Sequence, residues 1–144
     1  MKIQESAENY LETILVLTGR LGQVRSIDVA TELGFSKPSV SVAMKNLRLN
    51  GYITIDGEGH ISLTDEGRRI ADTIYERHTL ITKWLVSFGV DEETASEDAC
   101  RMEHVISAKS FHAIKCFMQE HQTEPPLDIH SDMHGSSGMS DSQE

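Results

Sequence analysis

The sequence predicts a mainly α-helical chain: a winged helix-turn-helix followed by a second, helical domain. Three observations predict this. Apolar residues recur at three- and four-residue steps through most of residues 3–118. Two short helical stretches meet at Gly34 and lead into one stretch of strand-like alternation, "YITIDGEGHISLT". A long amphipathic stretch then begins at Thr64 and runs to Gly89.

Each element has its own signals. Ile3, Ala7, Tyr10, Leu11, Ile14 and Leu17 form the apolar side of a first helix over 3–17, with Glu5, Glu8, Asn9 and Glu12 on the other side. Gly19 and Gly22 bracket a turn. Ser26 is the expected N-cap of a short helix, "IDVATEL", with Asp28 in its first turn and Gly34 at its end. Ser36 caps the next helix, where Pro38 falls early and its missing N–H costs nothing. Val40, Met44 and Leu47 are its expected inner face, and Asn50-Gly51 closes it. Tyr52–Ile55 and Ile61–Leu63 then pair as a hairpin around Asp56–Gly59. The long helix from Thr64 carries Ile70, Ile74, His78, Ile81 and Leu85 on one stripe. A helix from Asp91 through Ser107 follows, then another from Ala108 to Met118. This gives domains at 1–64 and 65–121. Residues 122–144, rich in Pro, Gly, Ser and acids, are expected to be a disordered acidic tail.

A net charge of −10 argues at first against nucleic acid. Its distribution reverses that argument. Residues 1–64 carry −1, residues 65–121 carry −4 and residues 122–144 carry −5. Within the first block, "SKPSVSVAMKNLRLNG" holds Lys37, Lys45 and Arg48 and no acid. A phosphate responds to charge within a Debye length, not to the whole protein. Apolar runs are too short to span a bilayer, and no export signal opens the chain, so a cytoplasmic protein without a membrane partner is expected. Cys100 and Cys116 are expected to be free thiols.

Two constellations carry chemistry. The second helix of a helix-turn-helix enters the major groove by its N-terminal end. Ser36, Lys37, Pro38, Ser39 and Ser41 stand there, with Lys45 and Arg48 farther along and Arg25 before the first helix of the pair. Short hydroxyls and cations suit phosphate oxygens and base edges. The wing is acidic and short, so little minor-groove contact is expected from it. A winged helix can also serve as a protein-interaction module, which this reading leaves open.

The second constellation is "DACRMEHVIS". If helical, Cys100, Glu103 and His104 share one face and offer S, O and N donors. Taken alone, the trio is no more than a buried thiol, a solvated carboxylate and a hydrogen-bonded imidazole. His78 on an otherwise apolar stripe, with Glu12 and Asn9 on the first helix, suggests donors converging from three helices. A Cys100–His104 nucleophile pair is the minor alternative, and no Gly-rich nucleophile turn surrounds the cysteine.

These strings together resemble the diphtheria toxin repressor family of metal-dependent bacterial regulators, including its manganese transport regulator branch. The resemblance rests on "ENYLETIL", "SKPSVSVAMKNL", "ISLTDEG", "ERHTLITKWL" and "DACRMEHVIS", and covers roughly residues 3–121. It implies a winged-helix DNA-binding domain, then a helical metal-binding and dimerisation domain. It also implies a homodimer on double-stranded operator DNA that represses metal-uptake genes when a divalent metal binds.

On this resemblance His78, Glu103 and His104 match ligands shared by both branches. Cys100 matches an iron-type ligand and Glu12 a manganese-type ligand. Asn9 stands where the manganese branch has aspartate and the iron branch methionine. Thr82 and Ser96 stand where the iron branch's ancillary site has glutamate and histidine. The implied cofactor is Mn(II) or Fe(II), and the thiolate also suits Co(II), Ni(II) and Zn(II). A metal-independent winged-helix regulator is the remaining alternative.

Overall fold

A computed structural model describes residues 5–121. The expected tail at 122–144 and the start of the first helix at Ile3 lie outside the described residues. Six helices and one two-stranded sheet follow in the order α1 (Glu5–Leu21), α2 (Ser26–Leu33), α3 (Lys37–Leu49), β1 (Ile53–Ile55), β2 (Ile61–Leu63), α4 (Asp65–Ser87), α5 (Glu92–Met102) and α6 (Ala108–Glu120). Residues through Ser107 form one compact unit, and α6 belongs to a second.

The core of the first unit is built where the apolar spacing placed it. Leu11, Ile14 and Leu17 of α1 pack with Val29 and Ala30 of α2, Val40, Met44 and Leu47 of α3, and Ile53 and Ile61 of the hairpin. Each large side chain buried here contributes about 2 kcal/mol relative to leaving it in water. The hairpin is antiparallel with Ile53 opposite Leu63 and Ile55 opposite Ile61. Its second strand also meets the segment before α2, because the Ile61 amide donates to the Val24 carbonyl at 2.7 Å.

Caps explain most boundaries. The Ser36 hydroxyl accepts the Ser39 amide at 3.3 Å, and Pro38 lies in the first turn of α3. The Thr64 hydroxyl accepts the Gly67 amide at 3.2 Å and donates to the Gly51 carbonyl at 2.7 Å. Asp91 caps α5 by accepting the Thr94 amide at 2.9 Å. Gly34 ends α2 at φ 70°, a left-handed conformation that suits glycine.

Three expectations need correction. The turn begins at Gly22, not Gly19, because α1 continues to Leu21; an isolated glycine costs a helix only about 1 kcal/mol. The cap of α2 is Arg25, not Ser26, and the Asp28 carboxylate accepts the Arg25 amide at 2.9 Å. Helix α5 stops at Met102, so Glu103 is its C-cap and His104 lies in the following turn. The side of α1 opposite its apolar stripe is buried at Glu12, which is only 7% exposed, as donors converging from this helix require. That side faces α4 and α5 while the apolar side faces the winged-helix core.

Gly67 sets how closely α4 approaches the hairpin. A Cβ there would sit 2.0 Å from the Tyr52 carbonyl oxygen, which is backbone and cannot swing away. The Thr64 amide donates to the same carbonyl at 3.0 Å.

Candidate metal centre

Three elements bring the site together. Helix α1 supplies Glu8, Asn9 and Glu12. Helix α4 supplies His78, thirteen residues beyond its start at Asp65. Helix α5 and the turn after it supply Cys100, Glu103 and His104. Arg77, next to His78, holds that turn by donating from Nη1 to the carbonyls of Glu103 at 3.1 Å and Ile106 at 3.0 Å. The turn is therefore fixed by the helix that carries the histidine.

Glu103 is the centre of the cluster and is fully buried. Its Oε2 lies 3.0 Å from His78 Nδ1. Its Oε1 receives no hydrogen bond from a described N–H or hydroxyl donor. His104 Nε2 is 3.4 Å from that oxygen without hydrogen-bond geometry. A buried, under-satisfied carboxylate oxygen is costly unless a cation or proton completes it.

Ligand atoms of His78, Cys100 and Glu103 all lie within 4.8 Å of one another. His78 Nε2 also lies 3.3 Å from Ser96 Oγ. His104 turns its Nδ1 to Glu8 Oε1 at 3.0 Å, leaving Nε2 toward Glu103. Asn9 and Cys100 open onto a cleft of about 380 Å³, lined also by Glu5, Ser6 and His104. Cys100 is exposed there. Thr82 does not reach this cluster as a donor, because its hydroxyl is committed to the His78 carbonyl at 2.7 Å.

The electrostatics are those of crowded donors. Burial pushes the Glu12 carboxyl up to about 8, with the Glu103 carboxylate adding a hydrogen bond and repulsion. Hydrogen bonds that the His78 imidazole donates to Cys100 and to the Glu103 carboxylate push it up to about 10, against the opposing effect of its own burial. Held this way, Glu12 keeps a proton and His78 a positive charge near neutral pH. Both are stand-ins for a cation. The donor set fits a divalent transition metal: two carboxylates, imidazole and thiolate converge around an oxygen that the protein itself leaves short of a donor.

The sequence reading missed Glu8, which orients His104 and so fixes which ring nitrogen faces Glu103. Glu8 is one turn before Glu12, a spacing that was visible on the first helix. Among the groups expected to contact DNA, Ser36, Lys37, Pro38, Ser39, Ser41, Lys45 and Arg48 are all exposed on α3 or its cap. Arg25 is exposed too, but its Nη2 lies 3.3 Å from His60 Nε2 in the wing.

Comparison with known proteins matches both halves. Residues 2–61 match the iron dependent repressor N-terminal DNA binding domain, and residues 64–129 match the iron dependent repressor metal binding and dimerisation domain. Over 120 residues the chain is 35% identical to the transcriptional regulator MntR of Salmonella typhimurium, covering 83% of this chain and 76% of the relative. Over 107 residues it is 31% identical to the iron-dependent repressor IdeR of Mycobacterium bovis, covering 74% of this chain and 46% of the relative. Among solved structures it is similar to the manganese regulator SloR, with a TM-score of 0.70 at 26% identity over 83% of this chain. The chain spans 55% of the length of that structure.

Proposed function

The chain belongs to the iron dependent repressor family, and from that premise we propose that it is a metal-dependent transcriptional repressor. It senses Mn(II) or Fe(II), binds operator DNA as a homodimer, and controls metal uptake from the cytoplasm. It is a regulator, not a thiol enzyme. Among the described residues no helix is long and apolar enough to cross a membrane.

The observation that carries this reading is Glu103: fully buried, its Oε1 short of a donor, with Glu12, His78 and Cys100 gathered around it. His78, Cys100 and Glu103 would hold the metal, joined by Glu12 from α1 and by His104, with Asn9 at the margin. A divalent metal supplies there two positive charges and coordination bonds. Glu12 must surrender its proton to act as a ligand, and His78 must surrender its own. Glu8 orients His104 throughout.

Residues 1–64 act as the DNA-binding domain and residues 65–121 as the metal-binding and dimerisation domain. The family matches, which break between residues 61 and 64, support that division. Glu12 stands on α1, whose other side packs in the winged-helix core. A change in how Glu12 meets Glu103 and His78 is thereby transmitted to the position of α3. The balance between arrangements shifts only by the difference in metal affinity between them.

The thiolate of Cys100 favours Fe(II), Co(II), Ni(II) and Zn(II), while Glu12 and Glu103 suit Mn(II). A DNA-binding titration across Mn(II), Fe(II), Co(II) and Zn(II), with chelator as control, tests the reading. Equal operator affinity after chelation would make the protein a metal-independent regulator. Absence of salt-dependent DNA binding under every metal would make it a protein-interaction module.

A further inference from the structure

Helix α3 has two apolar residues near the centre of its solvent face, Val42 in its first half and Leu49, 68% exposed, at its far end. Val40, Met44 and Leu47 point into the core. At 100° per residue, Val42 lies roughly 200° around the helix from Val40, and Lys45 roughly 140°. Val42 is 61% exposed, although β-branched side chains are neither favoured in helices nor soluble. It stands one turn after Pro38 and one turn before Lys45, near the end of α3 that leads into a major groove. No acid lies in the helix, and Lys45 stands roughly 60° from Val42, while Lys37 and Arg48 lie on the flank nearer the core. The charge therefore matches a polyanion, and the central valine has nothing to offer a phosphate.

We propose that Val42 reads thymine in the operator by covering a C5-methyl group in the major groove. The inference rests on the DNA-binding reading above. Thymine alone displays a methyl group on that edge, so an outward valine beside Lys45 discriminates by apolar contact without a hydrogen bond. The cations set register on the phosphates and carry no sequence information. Val42 is then a specificity residue that the polar and charged motif alone does not disclose.

The test starts from duplexes enriched by the Mn(II)-loaded full chain from a random-sequence pool. Each thymine of the enriched duplex is replaced singly by deoxyuridine, which removes only the methyl group. At one thymine per half-site the wild type is expected to lose about fourfold in affinity, the equivalent of ~0.8 kcal/mol for one buried apolar carbon. In Val42→Ser the same replacement is expected to cost nothing, while the salt dependence of binding stays as in wild type. Val42→Thr, which keeps one methyl and the β-branch, is expected to retain part of the penalty.

Uracil tolerated at every position, or an equal penalty in wild type and Val42→Ser, would overturn the role of Val42 and leave the repressor reading standing. If the metal-loaded wild type enriches no sequence at all, the DNA-binding reading fails and this one fails with it.

Discussion

Replacing Glu12 by glutamine perturbs the centre with almost no change of shape. The amide can donate to Glu103 as the protonated carboxyl does, but it carries no titrating group. In the metal-free protein the Glu12 carboxyl stands at about 8, far above its ordinary value of 4.5. Below pH 4.5 the group is protonated in both folded and unfolded chains, and the folded state bears no penalty. As pH rises from 4.5 toward 8 the unfolded chain releases the proton and the folded chain holds it. Stability then falls by up to ~1.4 kcal/mol per pH unit from this group alone, reaching about 3 kcal/mol by pH 7.

Glu12→Gln removes that loss. Urea unfolding in chelator, from pH 4.5 to 8, is the assay. The wild type and variant should converge near pH 4.5 and separate progressively, with the variant more stable at neutral pH. With saturating Mn(II) the order should reverse, because the wild type gains the larger stabilisation from its ligand. Parallel stability curves in chelator would refute the reasoning, since Glu12 would then not be held protonated against Glu103.

Other outcomes follow from the same geometry. Lys37→Ala should weaken binding to every DNA sequence alike and lower the magnitude of the salt slope by about 1, read from affinity against salt concentration. Gly67→Ala should cost at least about 3 kcal/mol in urea unfolding, because its Cβ would fall 2.0 Å from the Tyr52 carbonyl oxygen. Cys100→Ser should reduce affinity for Co(II) and Zn(II) more than for Mn(II) in a competition titration, and abolish any thiolate-to-cobalt absorption band. Ser36→Ala should destabilise the folded chain by about 1 kcal/mol in thermal unfolding through loss of the α3 cap.

The order of elements was legible because periodicity, caps and glycines agreed. Thr64, Ser36, Gly34 and the Asp56–Gly59 turn all mark boundaries that the structure keeps. The end of α5 was not legible. Glu103 continues the helical register by donating its amide to the Ala99 carbonyl at 2.9 Å, and its own carbonyl is taken by Arg77, twenty-six residues earlier in sequence. The convergence of Glu12, His78, Cys100 and Glu103 followed from matching motifs on separate helices. Glu8 was placed with Asn9 and Glu12 on the side opposite the apolar residues but given no role, because one-dimensional amphipathicity does not say which residues of a polar side meet a partner. Helix α1 has two buried faces. Val42 was left unassigned, because the spacing that gave Val40, Met44 and Leu47 as the inner face says nothing of what an outward valine is for.

The short bridge between Val24 and Ile61 has a consequence for how operators can vary. It joins the segment entering α2 to the wing, and the Arg25–His60 contact lies beside it. The wing is thereby tied to the segment entering α2 by both backbone and side chain, an arrangement that favours each reading head moving as a single casting. In a homodimer of such heads the adjustable quantities are the gap and tilt between two fixed parts. Tolerance to base changes within a half-site and tolerance to inserted base pairs between half-sites then become separate properties. The first is set by side chains on α3 and should ignore the identity of the metal. The second should depend on it.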